Sequence, residues 1–477
     1  MNETLIHPYS GSSSFFKRLT PYIVLLGITL IIFSFLGARD FIAVPSIIVL
    51  FFICKWFATD NYPPVLMIAF AYQWLQVSIK PIYATFTMQS LKDVAEFPDH
   101  IIKSYLLSCL ALLALGFGVY TMLKEIKIYP NRILHYLLSL DTKKTLITYL
   151  LFSVFATVLY GLRFKIPGLF QGIVALGYIK WTLFFFMFYS ALKQNQYRSL
   201  LYIIILFEFI SGFASYFADF KTIVFMVLIS YLALYQIRHK QFFGLIIAFV
   251  IFGYIGVIWT SVKFDYREFI SEDAGQQVVT VSDGEALSYL VDNVGNISDE
   301  QLALGFRAMI DRISYIDYFS SCMAYVPNVL PHEDGKLTKD AIMHVLVPRL
   351  FNPNKAAIDD SQHLTKYTGV FYADASMGVS FALGYVADFY IDFGPFWMLV
   401  ALFFFGLFIG YIIRSIYRTS LNSFWGMAIM LPLFILLYKY ENALIKFFGN
   451  LIVFWIVATL FNKYVCSKID SYLKRQV

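Results

Sequence analysis

Residues 341–360, AIMHVLVPRLFNPNKAAIDD, and residues 380–395, SFALGYVADFYIDFGP, decide how the rest of this chain is read. They close the only long polar interval of an otherwise very apolar protein. Pro348-Arg349, Lys355, Asp374 and Asp388 bring fixed cations and carboxylates together beside a hydrophobic span that opens after Gly394. Such a combination suits an anionic head group carried on a lipid.

Outside this interval apolar runs dominate. The chain is 59% hydrophobic and only 14% charged, against about one-quarter charged in ordinary globular proteins, which excludes a soluble domain. Runs of about 20 apolar residues have the length that crosses a bilayer. They predict spans near 20–37, 41–57, 63–84, 101–123, 145–163, 173–192, 199–217, 221–236, 242–262, 395–416, 423–440 and 444–462. The expected fold is an all-α polytopic membrane protein with about 12 transmembrane helices and one large extracytoplasmic loop containing amphipathic helices. Its parts are a cytoplasmic tail (1–19), helices 1–9 (20–262), the loop (263–394), helices 10–12 (395–462) and a basic cytoplasmic tail (463–477). Pro167, Gly168 and Gly172 make 166–180 a candidate for a partly unwound or re-entrant entry.

Orientation follows from Lys and Arg in the short loops. Lys17, Arg18, Lys124, Lys127, Arg132, Lys143, Lys144, Lys193, Arg198, Arg238, Lys240, Arg414, Arg418 and the tail from Lys463 all fall on one side, which predicts cytoplasmic termini in a bacterial inner (plasma) membrane. The loop 263–394 carries nine Lys and Arg against 19 Asp and Glu, a net charge of −10. The remainder carries 28 bases against 12 acids, a net of +16. The overall +6 is thus a basic collar beside anionic lipid, not a nucleic-acid signal. Cys54, Cys109, Cys322 and Cys466 are scattered and form no CxxC pair, so neither a disulfide framework nor a zinc site is expected. His332 and His344 lack metal-ligand spacing, and no cofactor is expected. No cleavable signal pattern opens the chain.

Within the loop, Ser298 to Gln301 has the form of a capping box. Leu302, Phe306, Met309, Ile310, Ile313, Ile316 and Phe319 then recur by threes and fours, predicting one amphipathic helix. A shorter helix is expected from Thr338 to before Pro348.

The candidate residues follow from charge near apolar surface. Arg349 and Lys355 share a proline-stiffened loop, one offering a planar fork and the other a point charge to phosphate oxygens. Arg312 lies near the apolar face of the amphipathic helix and needs an anionic partner, whereas Arg307 has Asp311 four residues on. Asp388 and Asp374 are candidate general bases for an attacking hydroxyl, with His363 an alternative that otherwise reads as an exposed loop histidine. Asp392, before Gly394-Pro395, reads as a helix cap. Lys221 after a span turn, and Lys439, Glu441 and Lys446 at the outer ends of the last spans, are secondary candidates for the same cavity. Lys180 and Glu208, inside spans, read as an ion pair or a functional pair.

FRAMIDRIS (306–314), VLVPRLFNPNKAA (345–357), ASMGVSFALGYVADFYIDFGP (375–395) and ADFKT (218–222) together resemble the Wzy-type O-antigen and polysaccharide repeat-unit polymerases. Ala356 stands after Lys355 where that family has proline, and Asp388 takes a position often held by Glu. The resemblance implies a membrane-embedded glycosyltransferase that joins undecaprenyl-diphosphate-linked oligosaccharide repeats into O-antigen, capsule or exopolysaccharide without a metal. It implies Arg349 and Lys355 as diphosphate ligands, and a chain-length regulator and a flippase as partners beside the lipid bilayer. A glycan ligase has a similar pattern. A glycolipid transporter should show repeated halves and a midplane path of ionisable residues, whereas most polar residues here sit in one loop.

Overall fold

The computed structural model describes residues 14–37, 40–59, 63–126, 130–162, 169–213, 220–234, 239–270, 281–347, 358–373 and 380–475. Every regular element among them is a helix. In order these are α1 (Ser14–Leu36), α2 (Val44–Phe57), α3 (Val65–Phe86), α4 (Leu91–Val94), α5 (Ile101–Leu123), α6 (Pro130–Leu138) and α7 (Thr142–Leu162). Then come α8 (Phe170–Lys193), α9 (Arg198–Phe213), α10 (Phe220–Leu234), α11 (His239–Ile270), α12 (Asp283–Gly295), α13 (Asp299–Ile313) and α14 (Ile316–Tyr325). The last are α15 (Lys336–Leu346), α16 (Asp360–Thr368), α17 (Tyr385–Thr419), α18 (Ser423–Met430), α19 (Leu433–Leu437), α20 (Leu444–Tyr464) and α21 (Cys466–Leu473).

Among the described residues eight helices are long and apolar enough to cross a membrane: α1, α3, α5, α7, α8, α11, α17 and α20. Helices α2 and α10 are apolar but shorter. This is compatible with a multi-pass membrane protein. Each expected span coincides with a helix, but α9 has 16 residues, and the expected span 423–440 is two short helices broken at Leu431-Pro432. The residues from Phe170 on are plainly helical, so no unwound entry exists there; 163–168 lie outside the described residues.

Helices α5 and α17 cross at the centre of the core. They approach closely because Gly118 faces the Phe403 carbonyl and Gly406 faces the Leu115 carbonyl, with no Cβ between. Small residues four apart (Gly406 and Gly410) are the usual device for such contact. Aromatic rings fill the neighbouring space: Phe186 lies 4.3 Å from Trp425 and Phe405 lies 5.3 Å from Phe447.

The expected loop 263–394 is largely helical. Helix α11 runs eight residues past the expected end at 262. The Ser298 capping box forms as expected and starts α13. The single helix expected through Phe319 is instead two. Ser314 turns extended (ψ 125°), and the backbone resumes as α14 at Ile316. Helix α15 begins at Lys336, close to the expected Thr338, with Asp392 accepting from Leu337 N (2.9 Å) and Thr338 N (2.7 Å). Asp392 is therefore a helix cap, though of α15 rather than its own helix. Helix α17 kinks where Gly394 adopts φ 68°, a conformation glycine tolerates, just before Pro395. The kink divides a buried first segment, Tyr385–Phe393, from the apolar span. Helices α12–α16 gather at the end of the bundle where α3 finishes and α5 starts, the loop face: Ser104 Oγ donates to the Ile316 carbonyl at 2.9 Å.

Candidate functional site

A polar stripe runs down an apolar helix. Gln73, Gln76 and Lys80 recur at i, i+3 and i+7 on α3, so they share one face, and each is almost wholly buried. Buried polar groups in such surroundings need partners. Gln73 Nε2 donates to the Leu437 carbonyl while its Oε1 accepts from the Tyr385 hydroxyl at 2.6 Å. Gln76 Oε1 accepts from Tyr440 N at 2.8 Å, and its Nε2 donates to Glu441 Oε2. Pro81 leaves the Val77 carbonyl without its helical donor, and the neighbouring Gln76 carbonyl accepts from Tyr315 N at 3.1 Å. Lys80 Nζ lies 2.7 Å from both Asp311 and Asp317, whose other oxygen accepts from Glu96 N at 2.8 Å. The stripe thus clamps two segments remote in sequence, 311–317 and 437–441, against one helix.

The clamped turn 438–443 is recessed. Gln76 stands ten residues, about 15 Å, before the end of α3. Helices α18 and α19 together span 423–437, about 22 Å, where a full crossing takes about 30 Å. Around this turn the cations collect. Lys439 Nζ is 5.5 Å and Lys221 Nζ 6.0 Å from the centre of the Tyr438 ring, which packs edge-on to Tyr72 at 5.1 Å. Glu441, Lys439 and Arg312 all act electrostatically on the Tyr72 hydroxyl. Burial, then the Glu441 carboxylate and Tyr318, push the Tyr315 hydroxyl well above its ordinary range, while the Arg312 guanidinium opposes them. Arg312 itself is exposed.

Beyond the turn, Asp388 is buried with both oxygens engaged. Oδ2 accepts from Leu444 N at 2.8 Å, fixing the start of α20, and Oδ1 lies 2.8 Å from His363 Nε2. Gly384, at φ 96°, lets α17 begin against the Tyr440 carbonyl. Burial lowers the His363 pKa, but the adjoining Asp388 carboxylate more than offsets this and the net shift is upward. Asp360 and Lys446 pair at 2.6 Å and tie α16 to α20.

The structure thus brings Arg312, Lys221, Lys439 and Glu441 together and sets Asp388 and His363 beside them. His363 is no exposed loop residue: it sits on α16 with a quarter of its side chain accessible. Arg307 does not hold Asp311, which is taken by Lys80; Arg307 is exposed on α13. Asp374, Arg349 and Lys355 lie outside the described residues, as does Asp219. Lys180 and Glu208 pair at 2.6 Å, with the Tyr149 hydroxyl donating to Glu208 at 2.8 Å. Among the described residues no His, Cys, Asp or Glu cluster is placed to hold a metal ion. Sequence reasoning passes over Lys80, Gln73 and Gln76. Their signal is present in YQWLQVSIK (72–80) as three polar residues on one face of a span.

The family model described as Domain of unknown function (DUF8712) matches residues 75–469. No curated protein and no solved structure gives a significant match.

Proposed function

The chain belongs to the DUF8712 family, and from its geometry we propose that it is a membrane-embedded glycosyltransferase that extends a glycan from lipid-diphosphate-linked oligosaccharide repeat units. The observation that carries this reading is the recessed turn. There three cations, Arg312, Lys221 and Lys439, and one carboxylate, Glu441, surround a wall of tyrosine rings below the end of α3. An acceptor hydroxyl attacks the donor's anomeric carbon. A C–O bond to the acceptor forms as the C–O bond to the diphosphate breaks, and the hydroxyl proton passes to a base. The departing diphosphate gains negative charge where little water solvates it, so fixed cations lower the barrier. Arg349 and Lys355 add to these cations on this reading.

Glu441 is the base in this scheme. Asp388 is buried with Leu444 N on one oxygen and His363 on the other, so its place in this scheme is behind His363 and α20. A protonated His363 joins the cations. The loop face is then extracytoplasmic, twelve spans place both termini in the cytoplasm, and the membrane is the bacterial inner membrane with undecaprenyl diphosphate as the leaving group. A chain-length regulator and a flippase would act beside it.

The test is reconstitution. Purified full chain in liposomes, given an undecaprenyl-diphosphate-linked repeat unit, should yield a ladder of lipid-linked oligomers and free undecaprenyl diphosphate. If only unreacted donor is recovered from the native producer's own repeat unit, the transferase reading falls.

A further inference from the structure

A chain of aromatic rings leads from the surface of the loop face down to the charged turn. Phe381 lies at the surface, 36% exposed, and Phe371, the residue before Tyr372, is 73% exposed. From Phe381 the ring centres step 6.0 Å to Tyr372, 5.8 Å to Tyr318, 5.2 Å to Tyr315 and 6.5 Å to the buried Tyr440. Tyr440 is fixed from behind by the Ser108 hydroxyl (2.8 Å) and by Gln76. Tyr315 and Tyr318, Tyr372, Phe381 and Tyr440 come from distant parts of the chain, so local sequence does not explain their alignment.

We propose that this ladder is the track on which the glycan lies, with its sugar rings over the part-exposed Phe381, Tyr372, Tyr318 and Tyr315, the buried Tyr440 backing its inner end, and its reacting end at Arg312 and Glu441. The chemistry of the edges chooses the occupant. Pyranose rings present apolar C–H faces bordered by hydroxyls, and they need flat apolar surface flanked by hydrogen-bonding groups. Two polar groups on this track have no partner for a hydrogen bond among the described residues: the Tyr372 hydroxyl is buried without one, and the Arg312 guanidinium, which acts on the Tyr318 hydroxyl, is exposed. A polyisoprenyl chain laid on the same track would cover the Arg312 guanidinium and the Tyr372 hydroxyl without satisfying either. The ladder deepens the transferase reading by naming where the glycan sits, but binding to it requires no transfer.

Fluorescently tagged full chain in detergent, applied to an array of bacterial surface oligosaccharides, tests the assignment. The wild type should bind a subset of the array. Tyr372→Ala and Tyr318→Ala should each weaken binding about tenfold, equivalent to ~1.4 kcal/mol, while Tyr318→Phe keeps most of it because the ring remains. Elution volume and melting temperature establish folding, and the more exposed Phe381→Ala serves if Tyr318→Ala does not fold. Absence of glycan binding by the wild type overturns the proposal. So do alanine variants that bind as the wild type does, or that lose micellar undecaprenyl phosphate instead of glycan. Binding that survives a failed reconstitution would leave the ladder standing and remove only the transferase.

Discussion

Glu441 and Asp388 are both carboxylates at the head of α20, and their surroundings give them different work. Glu441 has one oxygen held by Gln76 and faces Arg312 across the tyrosines. Glu441→Gln should therefore keep the fold and lower turnover roughly 10²- to 10⁴-fold, the usual cost of losing a general base. Unchanged melting with reduced polymer in the reconstituted assay is the expected pair of results. Asp388→Ala should instead unsettle the protein by about 3 kcal/mol, because it leaves the buried Leu444 N–H and the half-buried His363 without the carboxylate they share. His363 also gives stability a pH dependence. Its pKa is raised in the folded state, so the stabilisation is complete below the ordinary 6.5 and fades as pH rises through the higher folded value. Melting temperature measured from pH 6 to 9 should fall more steeply for the wild type than for His363→Gln; parallel curves would refute the ion pair. At this scale charge alone located Arg312, Lys221, Lys439 and Glu441 in the sequence. It missed Lys80 and both glutamines, because they leave this 22-residue helix apolar enough to read as a span, although the least apolar of the eight.

Helices depend on contacts that one-dimensional patterns do not carry. The run from Leu302 to Phe319 has unbroken helical spacing, yet the chain breaks at Ser314 so that Tyr315 N can reach a carbonyl in α3. No periodicity encodes that distant acceptor. Similarly, 423–440 has the composition of one span, and Pro432 was the only sign of its division. The capping boxes at Ser282 and Ser298 show the converse, a start signal written wholly in local residues. The crossing of α5 and α17 positions the first segment of α17 and hence Asp388. A larger side chain at Gly118 must push against the Phe403 carbonyl, so Gly118→Val should cost about 1–3 kcal/mol or more. Gly161→Val, where nothing lies near the added carbon, is the control and should cost far less at the crossing-independent end of α7. Comparable melting of the two variants would show that the crossing does not limit stability.

At the scale of the whole molecule, the sequence divides into an acidic 263–394 and a basic remainder. The face opposite α12–α16 is braced by its own polar contacts: Asp470 accepts from Trp425 Nε1 at 2.9 Å and pairs with Lys474 at 2.8 Å, and Arg414 meets Glu125 at 2.5 Å. All four cysteines are buried, so single engineered cysteines report cleanly on sidedness. A cysteine at exposed Gln362 should react with a membrane-impermeant maleimide in intact spheroplasts, and one at exposed Ser471 only after lysis. The reverse pattern would invert the topology. The short climb of α18 and α19 has a further consequence. An element of about 22 Å in a hydrocarbon core of about 30 Å would make the protein a gauge of bilayer thickness. Long acyl chains would sink the 438–443 turn beneath more hydrocarbon, and short ones would lift it toward the head groups where a lipid diphosphate resides. On the transferase reading, the composition of the host membrane becomes a variable of the reaction, set by fifteen residues of which one is proline.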